Sequence, residues 1–300
     1  MARRVSVSPA RHRIARQRIA RRALLGGLAA VSLTGFRSLE GWLAPDAELW
    51  PRWQAHDPNG IRRLDWSRYD DWLARHVVAE PDGVNRVDYG AVTAAGLADL
   101  AAVIDALQGV RVTGLNRNEQ FAYWANLYNA VTLKTVLDHY PVESIRDIDL
   151  GGGLFGGGPW GAELVTVEGV ALSLDDIEHR ILRPIWQDPR IHYAVNCAAI
   201  GCPNLRHRAW RAESLDDDLN AAARGFVNHR RAVRIAAATG SAGLIVSKIY
   251  DWFAEDFGGD AAGVLAHLRR HAEGETAALL AERDDIDGTA YDWSLNDTRR

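Results

Sequence analysis

The residues best suited to chemistry lie in one short stretch, Ile191 to Leu205, which reads IHYAVNCAAIGCPNL. It contains both cysteines of the 300-residue chain, Cys197 and Cys202, and His192 stands five residues before the first of them. A neighbouring imidazole can lower the pKa of a thiol and turn it into a nucleophile. Four interpretations of the cysteines stay open: a disulfide, a metal site, a catalytic thiol, and plain burial.

The backbone of this stretch decides whether the histidine and the first cysteine can meet. The β-forming residues from 191 to 197 predict a buried strand, in which successive side chains point to opposite faces. His192 and Cys197 would then point apart unless the chain bends at Asn196–Cys197. Gly201 and Pro203 predict such a bend. A C-x4-C pair with one histidine is a weak metal pattern, so we expect no metal and no cofactor.

A second group of polar residues lies on the segment from Asn116 to Tyr140. Its apolar residues occur almost all round a helix, which predicts one long, buried helix. Asn126 and Asn129 lie three residues apart on one face of it. Buried amides need hydrogen-bond partners, so these two residues either orient a catalytic group or tie loops to the helix.

A third group follows the predicted hairpin at 164–172. Ser173 begins a capping-box pattern, and the helix that follows places Asp175, His179 and Arg183 on one face at a spacing of four residues. Glu178 lies beside that face, and His179 is a second candidate base for the thiol.

Further downstream, an aromatic helical turn carries Lys248 and Asp256. Lys248 is one of only two lysines in a chain with 33 arginines. Its ammonium group could bind an anion, pair with Asp256, or simply face solvent. Together with Arg183, these two residues are the candidate ligand-binding residues.

Charge is distributed very unevenly along the chain. The first 40 residues carry nine arginines and one acidic residue, whereas the other 260 carry 26 basic and 38 acidic side chains, a net charge of −12. An acidic body excludes nucleic-acid binding, which needs clustered Lys and Arg. The Arg21-Arg22 pair precedes a short apolar run that ends near Phe36, a pattern typical of a twin-arginine export signal. We therefore expect a periplasmic or cell-envelope protein that contacts the membrane only through this segment, and only if the segment is not cleaved.

The remaining segments set the predicted domain limits. After an export signal or anchor at 1–40, a Trp- and Pro-rich arm covers 41–63, a folded domain covers 64–272, and a peripheral tail covers 273–300. Residues 150–161 are rich in glycine but lack the spacing of a phosphate-binding loop, which favours a flexible loop.

Four motifs occur in the order NEQFAYWANLYNA, SLDDIEHRILRP, IHYAVNCAAIGCPNL and SKIYDWFAEDFG. In this order they resemble the domain-of-unknown-function family 547 (DUF547) over roughly residues 64–270. The family's motif positions fall here on Asn126, Tyr128, Asn129, Glu178, His179, Arg183, His192, Cys197, Pro203, Lys248, Trp252 and Asp256. The resemblance implies that export is common among bacterial members, and it ranks Cys197 above Cys202, because the second cysteine is less general in the family. It implies no reaction.

These patterns predict an α+β fold: a helix-rich single domain around a small central sheet that contains 191–197 and packs against the helix at 119–139. The leading hypothesis is a thiol-dependent hydrolase or acyltransferase acting on a small molecule or peptide. Its candidate catalytic residues are Cys197 as nucleophile, His179 or His192 as base, and Glu178, Asn126 or Asn129 as the orienting group. The alternative is a non-catalytic binding module of the cell envelope with a buried polar network.

Overall fold

The computed structural model of the chain describes Ser38, Gly41 and residues 44–151, 157–238 and 241–299. These residues belong to a unit that extends from Gly35 to Arg300. The predicted twin-arginine segment and the centre of the glycine-rich loop, 152–156, lie outside the described residues. Within the described ranges, no helix has the length and apolar character needed to cross a membrane.

Helices dominate the described part of the chain. The α-helices are α1 (Ser67–His76), α2 (Ala94–Gln108), α3 (Arg117–His139), α4 (Arg183–Trp186), α5 (Leu215–Val227), α6 (Ile249–Trp252), α7 (Ala261–His271) and α8 (Gly274–Ala281). A π-helix, Asp176–Leu182, leads directly into α4.

The long helix α3 forms as predicted, and its start and end follow from the sequence. The Asn116 side chain accepts a hydrogen bond from the Glu119 amide at 3.0 Å, which satisfies one of the free donors of the first turn. Pro141 follows the last turn, and the residue before a proline disfavours helical geometry. Almost every side chain between Glu119 and Val136 is buried, so α3 is the central helix of the fold.

The strands form three small separate sheets. They are β1 (Val77–Ala79) with β2 (Asn85–Val87), β3 (Val165–Val167) with β4 (Val170–Leu172), and a sheet of β5 (Val233–Ala238), β6 (Ser241–Ser247) and β7 (Gly288–Ala290). The predicted hairpin turn is confirmed, because Glu168 and Gly169 both have positive φ angles, as a tight two-residue turn requires. The helix-rich α+β class is therefore confirmed.

The predicted central strand at 191–197 is wrong. This stretch is a 3₁₀ turn, Pro189–Tyr193, followed by an irregular loop. Asp188 caps the turn by accepting a hydrogen bond from the Arg190 amide. The buried backbone after the turn pairs with a side chain of α3 instead of a neighbouring strand: Asn129 donates to the Ala194 carbonyl at 2.9 Å. A buried backbone needs partners, and here side chains supply them, because Trp210 Nε1 also donates to the Ala194 carbonyl at 3.1 Å.

The predicted helix after Ser173 forms, with an unexpected geometry. The Ser173 and Asp176 side chains each accept a hydrogen bond from the other's backbone amide at 3.0 Å, as a capping box requires. Residues 176–182 then take π-helical hydrogen bonds, including one from the Arg183 amide to the Glu178 carbonyl. Such wide turns are rare and often occur at functional sites.

The arm before α1 docks on the body, at least over the described residues from 44 onward. Trp53 is 1% exposed and packs edge-on against Trp124 of α3, with ring centroids 5.1 Å apart. The Glu48 amide of the arm donates to the His179 carbonyl of the π-helix at 3.0 Å. The arm is thus part of the core packing around the π-helix.

Part of the tail at 273–300 is packed into the fold, so its predicted peripheral position is wrong. Strand β7 pairs in parallel with β6, and Leu295 beyond it is fully buried. The Ile200 amide donates to the Ser294 carbonyl at 2.8 Å, so the tail also closes over the cysteine loop. Most residues of the tail are polar, which favoured a peripheral position, but burial of its few apolar and aromatic residues holds the segment in place.

Candidate functional site

One small cavity of about 60 Å³ joins distant parts of the chain, and we call it the thiol pocket. That volume corresponds to a few water molecules. The residues in it that can do chemistry are Glu178, His179, His192, Cys197, Cys202 and Tyr291. The structure therefore brings both candidate bases and both cysteines to a single site.

Both cysteines are free thiols in this structure. The Tyr291 hydroxyl lies 3.0 Å from Cys197 Sγ and 3.1 Å from Cys202 Sγ, so a single oxygen contacts both sulfurs. The Cys197 backbone amide donates to Cys202 Sγ at 3.1 Å. Cys197 is half-buried, whereas Cys202 is buried. The two thiols form a pair with unequal access to solvent.

The predicted bend at Asn196–Cys197 is present and has clear structural causes. The Asn196 side chain accepts from the Ala198 amide at 2.8 Å and donates to the Pro203 carbonyl at 2.7 Å. Ala198 has a φ of 58°, in the left-handed region that non-glycine residues rarely adopt. A Cβ at Gly201 would lie 2.9 Å from the Tyr291 ring, so only glycine allows this close approach.

The environment of the pair separates the two thiols electrostatically. The hydrogen bond with Cys202, followed by burial, raises the pKa of the Cys197 thiol well above its ordinary value. Burial acts in the same direction on Cys202, but hydrogen bonds from Cys197, Tyr291 and backbone amides outweigh it and lower the pKa of that thiol. The pair therefore favours a state in which the two sulfurs share one proton.

His192 lies on the pocket wall between two carboxylates. Its Nε2 is 2.6 Å from Asp256 Oδ2, and its Nδ1 is 3.6 Å from Glu178 Oε1. The ring stacks on Phe253 with centroids 4.4 Å apart. Burial opposes the charged imidazolium, but the hydrogen bonds to Asp256 and Glu178 raise the pKa of His192 above its ordinary value. The ring is therefore held in one orientation and favoured in its charged form.

His179, the other candidate base, has a different environment. Burial, with Arg183 nearby, lowers the pKa of His179 to about 4, so its ring is neutral near pH 7. Its Nδ1 is 3.2 Å from Arg183 Nη1, and its Nε2 is 3.7 Å from Asp175 Oδ1. Burial and the nearby Glu178 carboxylate raise the pKa of Asp175 to about 7. Both ring nitrogens of His179 therefore have partners close along the chain, whereas those of His192 face carboxylates from two separate segments.

Glu178 links the charged side of the pocket to the thiol side. Burial opposes its ionisation, but His179, His192 and Arg183 together lower the pKa of Glu178 to about 2. The resulting negative charge contributes to the raised pKa of Cys197. Tyr128 of α3 also has a hydrogen bond to Glu178. The carboxylate thus lies within electrostatic reach of both the imidazole and the sulfur.

Arg183 anchors the charged side from behind, with its side chain 1% exposed. It donates to Asp256 Oδ2 at 2.6 Å, to Glu255 Oε1 at 2.5 Å and to the Pro45 carbonyl of the arm at 2.6 Å. Asp256 is therefore shared between Arg183 and His192, which lower its pKa against the opposing effect of burial. Lys248 begins the turn into α6 and does not line the thiol pocket.

Asn126 and Asn129 do not line the pocket. Asn126 donates to the Trp210 carbonyl and accepts from the Trp210 amide, both at 2.9 Å. Asn129 pairs with the Ala194 carbonyl and with the Asn196 amide. Of the two interpretations of these amides, this geometry favours the one in which they tie loops to α3.

Several residues that line the thiol pocket were not predicted from the sequence. Tyr291 and Trp293 come from the tail, and Trp160 and Phe253 complete the aromatic wall with Trp252. Tyr291 and Trp293 pack with ring centroids 4.7 Å apart. The aromatic pair in an otherwise polar tail was the available signal, because large aromatic side chains are seldom left exposed.

Residues 112–227 match the family model described as "Protein of unknown function, DUF547". The match confirms the predicted resemblance over this range, which is less than half of the 300-residue chain. It contains three of the four motifs, whereas the motif around Lys248 and Asp256 lies beyond the matched range. No curated protein and no solved structure matched the chain.

Proposed function

We propose that the thiol pocket catalyses acyl transfer, as a thiol-dependent hydrolase or acyltransferase with Cys197 as the nucleophile and His192 as the acid–base group. The observation that carries this proposal is the arrangement of the pocket: a half-buried thiol on the Tyr291 hydroxyl shares one small cavity with an imidazole that Asp256 and Glu178 hold. Nucleophile, base and orienting carboxylate are the parts that covalent acyl transfer requires.

In the resting pocket the shared proton lies on Cys197, because Cys202 has the lower pKa of the two thiols, so the reaction begins with transfer of this proton to Cys202 Sγ. When the proton lies on Cys202, the Cys197 thiolate attacks the acyl carbon and forms a carbon–sulfur bond, while the carbonyl electron pair moves to oxygen. Collapse of this intermediate breaks the bond to the leaving group, which takes a proton from the His192 imidazolium. A thioester on Cys197 results. Water or another acceptor then gives its proton to His192, attacks the thioester and releases the thiolate.

In the resting pocket, the negative charge of Glu178 acts on both the imidazole and the thiol. No hydrogen bond joins a histidine to a cysteine among the described residues, and Glu178 interacts with both. The charge of Glu178 favours the protonated Cys197 thiol, which is the less reactive form. We therefore propose that substrate binding displaces this carboxylate, because apo sites often hold catalytic groups out of contact.

A second candidate function is a non-catalytic binding module. The observation in its favour is that both nitrogens of His192 already face carboxylates, while Asp256 and Arg183 pair with one another. A satisfied network of this kind can serve only to fix the fold. The aromatic wall would then hold a ligand without reacting with it.

The test that separates the two functions is covalent trapping. Folded protein is incubated with p-nitrophenyl acetate, and acetylation of each cysteine is followed by mass spectrometry and by release of p-nitrophenol. We expect an acetyl group on Cys197, absent in Cys197→Ala and greatly slowed in His192→Gln. Acetylation that persists unchanged in His192→Gln, or that never occurs on Cys197, would contradict the acyl-transfer proposal.

A second measurement reports the role of Glu178. Alkylation of Cys197 by iodoacetamide is measured across pH in the Cys202→Ala background, with and without Glu178→Gln. Removing the carboxylate charge lowers the pKa of Cys197, so the labelling profile of the double variant shifts to lower pH. If Cys197 stays unreactive at every pH in both proteins while they remain folded, the binding module is supported.

We further propose that the chain is exported, with Arg21 and Arg22 as the twin-arginine pair. Support comes from the basic first 40 residues, the short apolar run and the acidic remainder of the chain. Cell fractionation of full-length protein tests this proposal against an Arg21→Lys/Arg22→Lys variant. Equal amounts of both proteins in the periplasmic and membrane fractions would rule out this route.

A further inference from the structure

A second concave surface lies beside the cysteine loop, and Tyr291 lines both this surface and the thiol pocket. It is an open groove of about 630 Å³ beside the β5–β6 hairpin. We call it the arginine groove. Its lining includes Ile200, Gly201, Arg230, Arg231, Arg234 and Asp292.

The groove concentrates positive charge on an otherwise acidic body. Three arginines line it, Arg230, Arg231 and Arg234, against a single carboxylate, Asp292. None of the three arginines forms a salt bridge with a carboxylate anywhere in the described ranges. By contrast, Arg190 and Arg211 at other positions pair directly with aspartates. An anion added to the groove would therefore meet arginines that no carboxylate pairs with directly, although Cys202 and Asp82 attract Arg231 from nearby.

Arg231 gives the groove a fixed, partly desolvated cation. It donates to the Ile200 carbonyl at 3.0 Å, the Cys202 carbonyl at 2.7 Å and the Asn204 side chain at 2.8 Å. These acceptors orient the guanidinium but are neutral, so its charge is not balanced by them. Burial lowers the pKa of Arg231, which shows the cost of holding this charge away from water. An anion in the groove would reduce that cost.

Arg230 and Arg234 place further charge along the edge. Arg230 is exposed, and the Arg234 guanidinium lies 3.4 Å from the Arg230 carbonyl. Arg234 is on β5, which the antiparallel partner β6 holds in register, so its position is set by the sheet. All three arginines line the same groove, so an anion bound there would lie next to Arg230, Arg231 and Arg234.

We propose that the arginine groove binds a phosphate-bearing ligand. Several guanidinium groups around one concave surface suit phosphate oxygens, because each planar guanidinium can donate two parallel hydrogen bonds. The ligand carries at least two negative charges, since the net charge of the lining is three arginines less one aspartate. The inference is independent of the thiol chemistry.

The test is calorimetric titration of the full folded protein with inorganic pyrophosphate at low ionic strength. We expect saturable 1:1 binding that weakens about tenfold in Arg234→Ala and in Arg230→Ala. Asp292→Asn removes the opposing carboxylate, so its affinity should rise. The matched control is Arg270→Ala, which removes an equal charge from an exposed position on α7, outside the groove, and should bind as the unmodified protein does.

The phosphate source is identified by a second arm. Co-sedimentation with vesicles of phosphatidylcholine and phosphatidylglycerol, using the same variants, reports binding to a lipid headgroup. Pyrophosphate binding without vesicle binding assigns a soluble phosphorylated ligand, and vesicle binding that depends on Arg230 and Arg234 assigns a headgroup. The proposal is overturned if neither probe binds, or if Arg270→Ala weakens binding as much as the groove variants.

Discussion

Two neighbouring helices use buried polar residues in opposite ways. On α3, Asn126 and Asn129 pair with backbone groups of distant loops and stay outside the thiol pocket. On the π-helix, Glu178 and His179 are equally buried but line the pocket. An amide is neutral and offers both a donor and an acceptor, so backbone groups satisfy it fully. Buried ionisable side chains need partners of opposite charge, and the thiol pocket lies where such groups come together.

The π-helix depends on ion pairs more than α3 does. Removing Arg183, which directly follows the π-helix, should therefore destabilise this region. Arg183→Ala leaves Asp256 and Glu255 without their guanidinium partner and frees Pro45 of the arm. We expect a loss of about 3–5 kcal/mol in the free energy of unfolding, measured by urea denaturation, because an unpaired buried charge is costly.

Arg180→Ala is the matched control, three residues before Arg183 and on the π-helix itself. The Arg180 side chain is 37% exposed and pairs with Asp176 at 2.9 Å. A partly exposed pair of this kind contributes about 0–1 kcal/mol. Similar losses in both variants would show that the buried network does not carry the stability of this helix.

The role of α3 is tested by Asn129→Ala, for which we expect a somewhat smaller effect. The change leaves the buried Asn196 amide without its partner and removes one of the two donors to the Ala194 carbonyl, which keeps Trp210 Nε1 at 3.1 Å. The expected loss is about 3 kcal/mol in the free energy of unfolding. Because the same bonds position the bend at Cys197, iodoacetamide labelling of that thiol should also change.

Thr132→Val provides the control on α3. The buried Thr132 hydroxyl has no hydrogen-bond partner among the described residues, so a methyl group of the same shape removes nothing. We expect stability within about 0.5 kcal/mol of the unmodified protein, or a small gain. A large loss from this change would mean that α3 tolerates no substitution, and the Asn129 result would then say nothing about its hydrogen bonds.

Among the test variants, as distinct from their controls, the smallest expected effect has the opposite sign and depends on pH. The pKa of Asp175 is raised to about 7 in the folded protein, so ionisation costs stability as pH rises from about 4 towards 7. Asp175→Asn removes this cost and should stabilise the protein by about 2 kcal/mol at pH 8, with little gain at pH 4. Urea denaturation at both pH values checks this; an equal gain at both would exclude the ionisation of Asp175 as the cause.

Local elements were largely predictable, and contacts between them were not. The Ser173 capping box and the hairpin turn at Glu168–Gly169 are each set by a few adjacent residues, and both predictions are confirmed. The Asn116 cap of α3 is equally local but was not predicted. The strand expected at 191–197 was wrong because β-forming residues make a strand only when a partner strand is present. A π-helical turn has no distinct sequence signal, so it was not foreseen.

The residues of the candidate site likewise include some that the sequence predicts and some that it does not. The residues that can react, Cys197, His192 and Glu178, were identifiable by type and spacing. Tyr291 was not, because it lies 94 positions after Cys197 and reaches the thiols only through the pairing of β7 with β6. Nothing in the local sequence indicates that one hydroxyl contacts two sulfurs.

The sequence by itself determined the helix-rich class, the capped helices, the hairpin and the bend before Cys197, because caps, turns and hydrophobic periodicity act over a few residues. Only the tertiary structure decided which polar residues face the pocket, which sulfur has the lower pKa and which arginines share a groove. Those properties depend on burial and on charges brought together from distant segments, and both arise only when the chain is packed.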